Sequence, residues 1–225
     1  MNKQFFSIYQ HGMARVAVAT PHIKLADPTY NAQETLKLAR QAEKGGAVLV
    51  AFPEMGLTGY TCDDLFRQEA LLQGAEDALL TLAKESVSMN VVMVVGLPVR
   101  VGHQLFNCAA VVAGGEIRGV VPKTYLPNYG EFYDARYFTS GDNAADTARL
   151  YLGGKYVMFG TKLLFQVPQV KNFIFNVEIC EDVWTPIPPS SFATLAGATV
   201  LVNLSASNAL VGKSKYRHDL VAQQS

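Results

Sequence analysis

The sequence predicts an α/β fold in which a mixed β-sheet is covered by helices. Short apolar runs alternate with helical segments in the first half of the chain, in the order β-α-β-α-β. The middle of the chain changes to apolar runs joined by a Gly-Gly pair at 114–115, which is typical of a tight antiparallel hairpin. With 225 residues, 49% hydrophobic and 17% charged, the chain is long enough to bury a sizeable core.

The first elements follow from local patterns. The RVAVAT run (15–20) is expected to form a short buried strand. Asn31 and Glu34 have the spacing of a helix N-cap and its reciprocal carboxylate, and the two glycines at 45–46 are expected to end that helix. The AVLVAF run (47–52) is apolar throughout, which predicts a strand buried on both faces.

The later part of the chain continues the succession of predicted strands and helices. We expect a helix over 63–85, a strand over 91–99, a hairpin formed by LFNCAAVVAGG and EIRGVV, a strand in FIFNVEIC (173–180), and a strand over 198–206 after a short helix, with a polar helix at the end of the chain.

Composition excludes several classes of function. Lys+Arg and Asp+Glu are equal at 19 each and no basic run occurs, so we expect no nucleic-acid partner. No apolar stretch is long enough to span a membrane, and the N-terminal segment lacks the apolar core of a secretory signal. Three cysteines, at positions 62, 108 and 180, are too few for a disulfide framework or a zinc site. We therefore predict free thiols, no bound metal and a cytoplasmic location.

Three chemically active side chains follow apolar strands. Cys180 ends the run FIFNVEIC, Glu54 follows AVLVAF, and Lys123 follows GVVP. Loops at strand ends are held by a rigid scaffold, so these positions suit catalysis. A lysine cation would lower the pKa of the Cys180 thiol and a carboxylate would take its proton, which are the requirements for a thiolate nucleophile.

Competing readings of these residues exist. A free cysteine is most often a small buried hydrophobe, which is our interpretation of Cys108, and a lone glutamate or lysine after a strand is most often a solvated charge. The four histidines lie far along the sequence from these strand ends, so none offers a convincing base for a cysteine–histidine pair.

The motifs FPEMGLTGY, PKTYLPNYGEFYD and VEICEDVW, in this order, resemble the three catalytic motifs of the nitrilase (carbon–nitrogen hydrolase) superfamily. SIYQHGMARVAVATP, CEDVWTPIPPS and GATVLVNLSASN narrow the resemblance to the glutaminase domain of the glutamine-dependent NAD⁺ synthetase family. The resemblance implies a four-layer αββα sandwich with two mixed sheets and helices outside.

By this resemblance, Cys180 is the nucleophile, Glu54 the general base and then acid, and Lys123 the cation that stabilises the oxyanion, together with a backbone N–H near Glu181. Glu131, eight residues past Lys123, matches the family's second glutamate and is expected to position the lysine or the substrate amide. The substrate would be glutamine, hydrolysed through a glutamyl thioester.

The resemblance also implies a substrate pocket. Tyr60, Tyr129 and Phe132 would line it, while Glu181 and Ser207 would hold the amino-acid end of glutamine. Some relatives carry an arginine where this chain has Lys213. A lysine cannot donate two parallel hydrogen bonds to a carboxylate as an arginine does, so carboxylate recognition at Lys213 is in doubt.

The same resemblance describes residues 1–225 as one carbon–nitrogen hydrolase (glutaminase) domain, incomplete at its C-terminus. The chain contains no glycine-rich phosphate loop. The glutaminase half is therefore expected to need no cofactor, while ATP and Mg²⁺ would serve an absent synthetase domain that converts deamido-NAD⁺ to NAD⁺. Its expected partners are that synthetase domain and further copies of itself in a homo-oligomer.

Three alternatives stay open. In the first, the chain is a stand-alone amidase of the superfamily that acts on another small linear amide or a ureido compound. In the second, it is a non-catalytic oligomerisation or regulatory module. In the third, it is a redox-sensing thiol protein. The complete Cys/Glu/Lys set argues against the second. The third needs a resolving cysteine near Cys180, and the sequence suggests none.

Overall fold

The computed structural model describes residues 7–144 and 148–225. The prediction that the N-terminal segment lacks a secretory signal includes residues 1–6, which lie outside the described residues. The α-helices of the described part are α1 (Pro28–Lys44), α2 (Glu69–Glu85), α3 (Asp134–Tyr137), α4 (Pro189–Leu195) and α5 (Lys213–Gln224).

The described residues form two mixed β-sheets. The strands are β1 (Val16–Val18), β2 (Leu49–Ala51), β3 (Val92–Val101), β4 (Gln104–Ala113), β5 (Glu116–Pro122), β6 (Ala148–Leu152), β7 (Lys155–Phe159), β8 (Leu164–Gln166), β9 (Ile174–Ile179) and β10 (Val200–Leu204). The first sheet has the order β1-β2-β3-β4-β5-β7-β6, and the second has the order β10-β9-β8. Parallel pairs such as β9 with β10 coexist with antiparallel pairs such as β3 with β4, so each sheet is mixed.

Alternating side chains divide the core into two apolar layers. On β4, Phe106 and Cys108 pack with the helix-side layer formed by α1, α2 and the first sheet. The next residues on the opposite face, Ala109 and Val111, pack with Phe175 of β9 in the layer between the sheets. Helix α4 contacts the outer side of β9. The α-β-β-α layering expected from the sequence is therefore confirmed.

Several local predictions are also confirmed. Helix α1 ends at Lys44, directly before the two glycines. Strand β2 is buried within the first sheet between β1 and β3. Gly114 and Gly115 join β4 to β5 with φ angles of 59° and 85°, the left-handed conformation that a two-residue hairpin turn requires and that glycine adopts without steric cost.

Two predictions about helix boundaries are wrong. The cap of α1 is Asp27, whose Oδ1 accepts from Tyr30 N at 3.0 Å, because Pro28 is favoured at the first helical position. Asn31 lies inside the helix, where its buried amide bonds Lys24 N and Leu57 O. The expected helix over 63–85 is a 3₁₀ helix, Asp63–Arg67, followed by α2, because Gln68 has an extended backbone.

The first strand and the middle strands also differ from expectation. Strand β1 lies at the edge of the first sheet, and Val18 is 89% exposed, so this run is not buried as predicted. Strands β6, β7 and β8 were not predicted. They are short, and β6 and β7 carry exposed side chains such as Tyr151 and Tyr156, so their apolar signal in the sequence is weak.

Candidate active site

Three strand ends bring the predicted catalytic side chains together. Glu54 follows β2 in the turn after Pro53, Lys123 follows β5, and Cys180 follows β9. Their exposed fractions are 2%, 0% and 4%. The site therefore lies where both sheets end, and these three side chains are shielded from bulk water.

Lys123 is shared between two carboxylates. Its Nζ lies 2.8 Å from Glu54 Oε1 and 2.6 Å from Asp134 Oδ2. Burial disfavours the ammonium ion, but the charges of Glu54 and Asp134 outweigh burial and raise the pKa of Lys123 above its ordinary value. The lysine is consequently a permanent cation, able to offer its third N–H to a developing oxyanion.

Asp134 was not identified from the sequence, and Glu131 was expected to position Lys123 instead. Glu131 is exposed and accepts a hydrogen bond from Asn208 Nδ2. The prediction that Glu131 positions Lys123 is therefore wrong. Asp134 is the first residue of α3 and is 3% exposed. An acid within the aromatic segment FYDARYF was the available signal. A role of Glu131 toward the substrate amide stays a prediction.

Glu54 is held by three hydrogen-bond donors. Its Oε1 accepts from Asn107 Nδ2 at 2.7 Å as well as from Lys123, and its Oε2 accepts from Ala206 N at 2.9 Å. Donors of this kind stabilise a carboxylate in its ionised form. Neither Asn107 nor Ala206 was identified from the sequence, because each lies in an otherwise ordinary apolar or turn segment.

Cys180 has a strained backbone and a protonated thiol. Its φ angle is 46°, in the left-handed region that non-glycine residues rarely adopt. Burial, reinforced by the charge of Glu54, raises the pKa of the thiol to about 11, although Lys123 opposes the shift. The lysine does lower the thiol pKa as expected, but burial and the Glu54 carboxylate outweigh it, so the net pKa shift is upward. Ser205 Oγ lies 3.4 Å from Cys180 Sγ.

Asp182 joins the two sheets beside the site. Its carboxylate accepts from Ile179 N at the end of β9, at 2.9 Å, and from Thr124 N and Tyr125 N after β5, at 3.1 and 2.8 Å. Burial raises the pKa of Asp182 to about 7, although the backbone donors oppose the shift. This residue fixes the turn that carries Cys180 relative to the segment that carries Lys123.

Three aromatic side chains expected in the pocket form one row. Tyr60 and Phe132 have ring centroids 6.3 Å apart, and Phe132 and Tyr129 have centroids 6.0 Å apart, both edge to face. Tyr60 donates to Asp134 Oδ1 at 2.5 Å. Burial, together with the Asp134 charge and hydrogen bond, raises the pKa of the Tyr60 phenol.

Tyr129 is the exposed end of this row. Its hydroxyl lies 2.9 Å from both carboxylate oxygens of Glu181. Burial of the hydroxyl and then the hydrogen bond to Glu181 raise the pKa of Tyr129 to about 12, so the phenol is a donor at neutral pH. Tyr129 therefore fixes the carboxylate that was expected to hold the substrate's amino-acid end.

Helix α5 supplies a guanidinium that the sequence did not reveal. Arg217 Nη2 donates to Ser207 Oγ at 3.0 Å and to Asn208 O at 3.1 Å. Lys213, one turn earlier, donates to Asn208 Oδ1, and its Nζ lies 5.1 Å from the centroid of the Trp184 ring. A guanidinium group, which Lys213 lacks, is therefore present four residues further on, at Arg217. There it holds the loop that contains Ser207.

Comparisons with known proteins show the family of this chain. The model of the carbon–nitrogen hydrolase family matches residues 15–225. The chain belongs to the carbon–nitrogen hydrolase family. A protein named glutamine-dependent NAD(+) synthetase from Mycobacterium tuberculosis is 47% identical over 221 residues, which cover 98% of this chain and 32% of that protein.

Solved structures of carbon–nitrogen hydrolases extend the comparison. A glutamine-dependent NAD(+) synthetase from Cytophaga hutchinsonii superposes with a TM-score of 0.81 at 28% identity, covering 94% of this chain and 33% of that one. An amidase from Nesterenkonia sp. has a TM-score of 0.67 at 19% identity, covering 94% of this chain and 71% of that one, and therefore shows the shared fold alone. The chain spans about a third of the length of the synthetases that it matches.

The other cysteines of this carbon–nitrogen hydrolase chain lie apart from the site. Cys62 Sγ donates to Thr58 O at 3.2 Å, and Cys108 is fully buried in the helix-side layer. Across residues 7–144 and 148–225, His, Cys, Asp and Glu side chains form no group of three or more placed to hold a metal ion. Within the same ranges, each helix is too short or too polar to cross a bilayer.

Proposed function

We propose that this chain is the glutamine-hydrolysing part of a glutamine-dependent NAD⁺ synthetase. The observation that carries the proposal is the buried Lys123–Glu54 pair, 2.8 Å apart, beside a buried cysteine thiol. The 47% identity to the synthetase of M. tuberculosis supports glutamine as the substrate.

The protonated state of Cys180 suits a general-base mechanism. Because the pKa of the thiol is about 11, the proton leaves as attack begins, and Glu54 is the carboxylate that receives it. The sulfur attacks the carboxamide carbon of glutamine, and the oxyanion is stabilised by Lys123 and by the N–H of Glu181. Glu54 then returns the proton to the departing nitrogen, so that ammonia leaves and a glutamyl thioester remains.

Hydrolysis of the thioester completes the cycle. Glu54 takes a proton from water, the hydroxide attacks the thioester carbonyl, and glutamate departs while the proton returns to the Cys180 sulfur. The net reaction consumes one glutamine and one water and yields glutamate and ammonia. No cofactor takes part in these steps.

The ammonia would be used outside this chain. We infer that a synthetase domain, with ATP and Mg²⁺, amidates deamido-NAD⁺ to NAD⁺ and that the protein works as a homo-oligomer in the cytoplasm. The names of the matched synthetases, which are about three times as long as this chain, support the synthetase domain in this inference.

A glutamine analogue that alkylates thiols tests the proposal. The native protein is incubated with 6-diazo-5-oxo-norleucine and digested for mass spectrometry, and glutamate release from glutamine is measured in parallel. We expect one adduct, at Cys180, and loss of both adduct and glutamate release in Cys180→Ala. Cys62→Ala is the matched control, since Cys62 is equally buried but lies outside the site.

Other outcomes would reject the proposal. Labelling at Cys62 or Cys108, or full glutamate release by Cys180→Ala, would remove Cys180 as the nucleophile. Faster hydrolysis of a simple aliphatic amide than of glutamine would indicate a stand-alone amidase. A well-folded wild-type protein that hydrolyses neither would indicate a non-catalytic module.

A further inference from the structure

Asn107 is a polar residue at an apolar position of β4. It is fully buried, and its neighbours on the same face of the strand, Ala109 and Val111, belong to the apolar layer between the sheets. Its carboxamide Oδ1 has no hydrogen-bond partner among the described residues. A buried amide that is only half satisfied lowers stability relative to an apolar side chain, so packing does not explain an asparagine here.

The satisfied half of the amide points to the reason. Asn107 Nδ2 donates to Glu54 Oε1 at 2.7 Å, the same oxygen that accepts from Lys123 Nζ at 2.8 Å. The backbone of Asn107 is fixed next to the lysine as well, because its carbonyl accepts from Lys123 N at 2.8 Å. One carboxylate oxygen is thus held by donors from two adjacent strands.

The other carboxylate oxygen is bonded next to a residue that contacts the nucleophile. Glu54 Oε2 accepts from Ala206 N, and the preceding residue, Ser205, contacts Cys180 Sγ through its hydroxyl at 3.4 Å. With Oε1 occupied by two donors and Oε2 by one, the second lone pair of Oε2 is the one left for a proton. The Lys123 ammonium group lies at the end of a flexible side chain and would follow the carboxylate if it rotated. The short Asn107 amide is held by a β-strand and would not.

We propose that Asn107 is a positioning residue that fixes the rotation of Glu54, so that Oε2 is the atom that accepts the Cys180 proton. This proposal rests on the proposed glutaminase function. The charged and titratable groups around Glu54 are Lys123 and Cys180, with Asp134 and Tyr60 beyond the lysine. Asn107 is a neutral side-chain donor to Glu54, so replacing it changes no charge.

Asn107→Leu in the native protein tests the proposal, since leucine has a similar shape and no donor. We expect kcat/KM for glutamine at pH 7 to fall about 10- to 100-fold, within the usual contribution of a general base, while KM changes less than threefold. The loss should appear in kcat, because a rotated carboxylate receives the Cys180 proton poorly while the substrate pocket is unchanged.

Asn176→Leu is the matched control. Asn176 is also a buried strand asparagine with an unpartnered Oδ1, but it lies on β9 and its Nδ2 faces Leu163 O at 3.5 Å, away from Glu54. Its kcat and KM for glutamine should match those of the wild type. If Asn107→Leu does not fold, Asn107→Ala removes the same donor without adding volume and should show the same fall in kcat.

Distinct results separate the two proposals. A wild-type protein that releases no glutamate from glutamine overturns the proposed function and this inference together. An active wild type whose kcat is unchanged in the Asn107 variants overturns this inference alone. An equal fall in kcat in Asn107→Leu and Asn176→Leu assigns Asn107 to packing and likewise rejects it.

Discussion

Lys123 Nζ lies 2.6 Å from Asp134 Oδ2, so the buried lysine of this site is shared by two carboxylates and not paired with one. Asp134 is held in turn by the Tyr60 hydroxyl. The lysine is thus oriented by the last residue of the second motif, and this arrangement defines the first prediction.

Asp134→Asn is expected to lower kcat for glutamine hydrolysis at least tenfold and to destabilise the protein. Removing one partner of a buried ion pair costs about 3–5 kcal/mol, and the remaining pair with Glu54 reduces that cost here. Steady-state kinetics and urea unfolding measure the two effects. Asp64→Asn is the control, because Asp64 forms an exposed pair with Arg136 at 3.2 Å. Equal effects of the two substitutions would contradict the role of Asp134.

Alkylation by iodoacetamide should reveal the protonated state of Cys180. With a thiol pKa of about 11, the rate should be slow at pH 7 and still rising at pH 10. A protein carrying Cys62→Ala and Cys108→Ala leaves Cys180 as the only cysteine of this chain. A rate that reaches its plateau below pH 8 would mean that the resting site already holds a thiolate.

Tyr129→Phe is expected to raise KM for glutamine three- to tenfold while kcat changes less than twofold. The substitution removes the two contacts at 2.9 Å that fix the Glu181 carboxylate, and loss of uniform substrate binding raises KM alone. Tyr133→Phe is the matched control, since Tyr133 is similarly exposed in the same segment. A fall in kcat without a change in KM would place Tyr129 in the chemical step.

Arg217→Met is expected to raise KM for glutamine at least tenfold. Methionine keeps much of the apolar stem but loses the donors to Ser207 Oγ and Asn208 O, so the loop that leads to Ala206 is no longer held. Lys215→Met, on the exposed side of the same helix, should leave KM unchanged. Comparable KM values for the two variants would show that Arg217 serves the helix and not the site.

Part of this arrangement was accessible from the sequence, because apolar runs that end in a charged or nucleophilic residue are local signals. Glu54, Lys123 and Cys180 each follow such a run, and the structure brings them together; their catalytic roles stay predictions. Asp134, Asn107 and Arg217 were missed because their significance depends on contacts across 11, 53 and 10 residues of sequence, which no local pattern encodes.

The elements of the fold likewise divide into those that the sequence predicts and those that it does not. The hairpin at Gly114 and Gly115 was predictable because only glycine adopts both required φ angles readily. The short strands between Ala148 and Gln166 were not, because pairing with neighbours defines them more than their composition does. The thiol pKa of Cys180 was misjudged for a related reason, since burial is a property of the folded chain.

The carboxylate of Asp182 has a consequence for how substrate reaches the site. It bonds Ile179 at the end of one sheet and Thr124 and Tyr125 at the end of the other, so widening the gap between the sheets would strip a buried acid of its donors. The sandwich is therefore expected to stay shut during turnover. Substrate would then have to enter by movement of side chains around the site and not by separation of the two sheets.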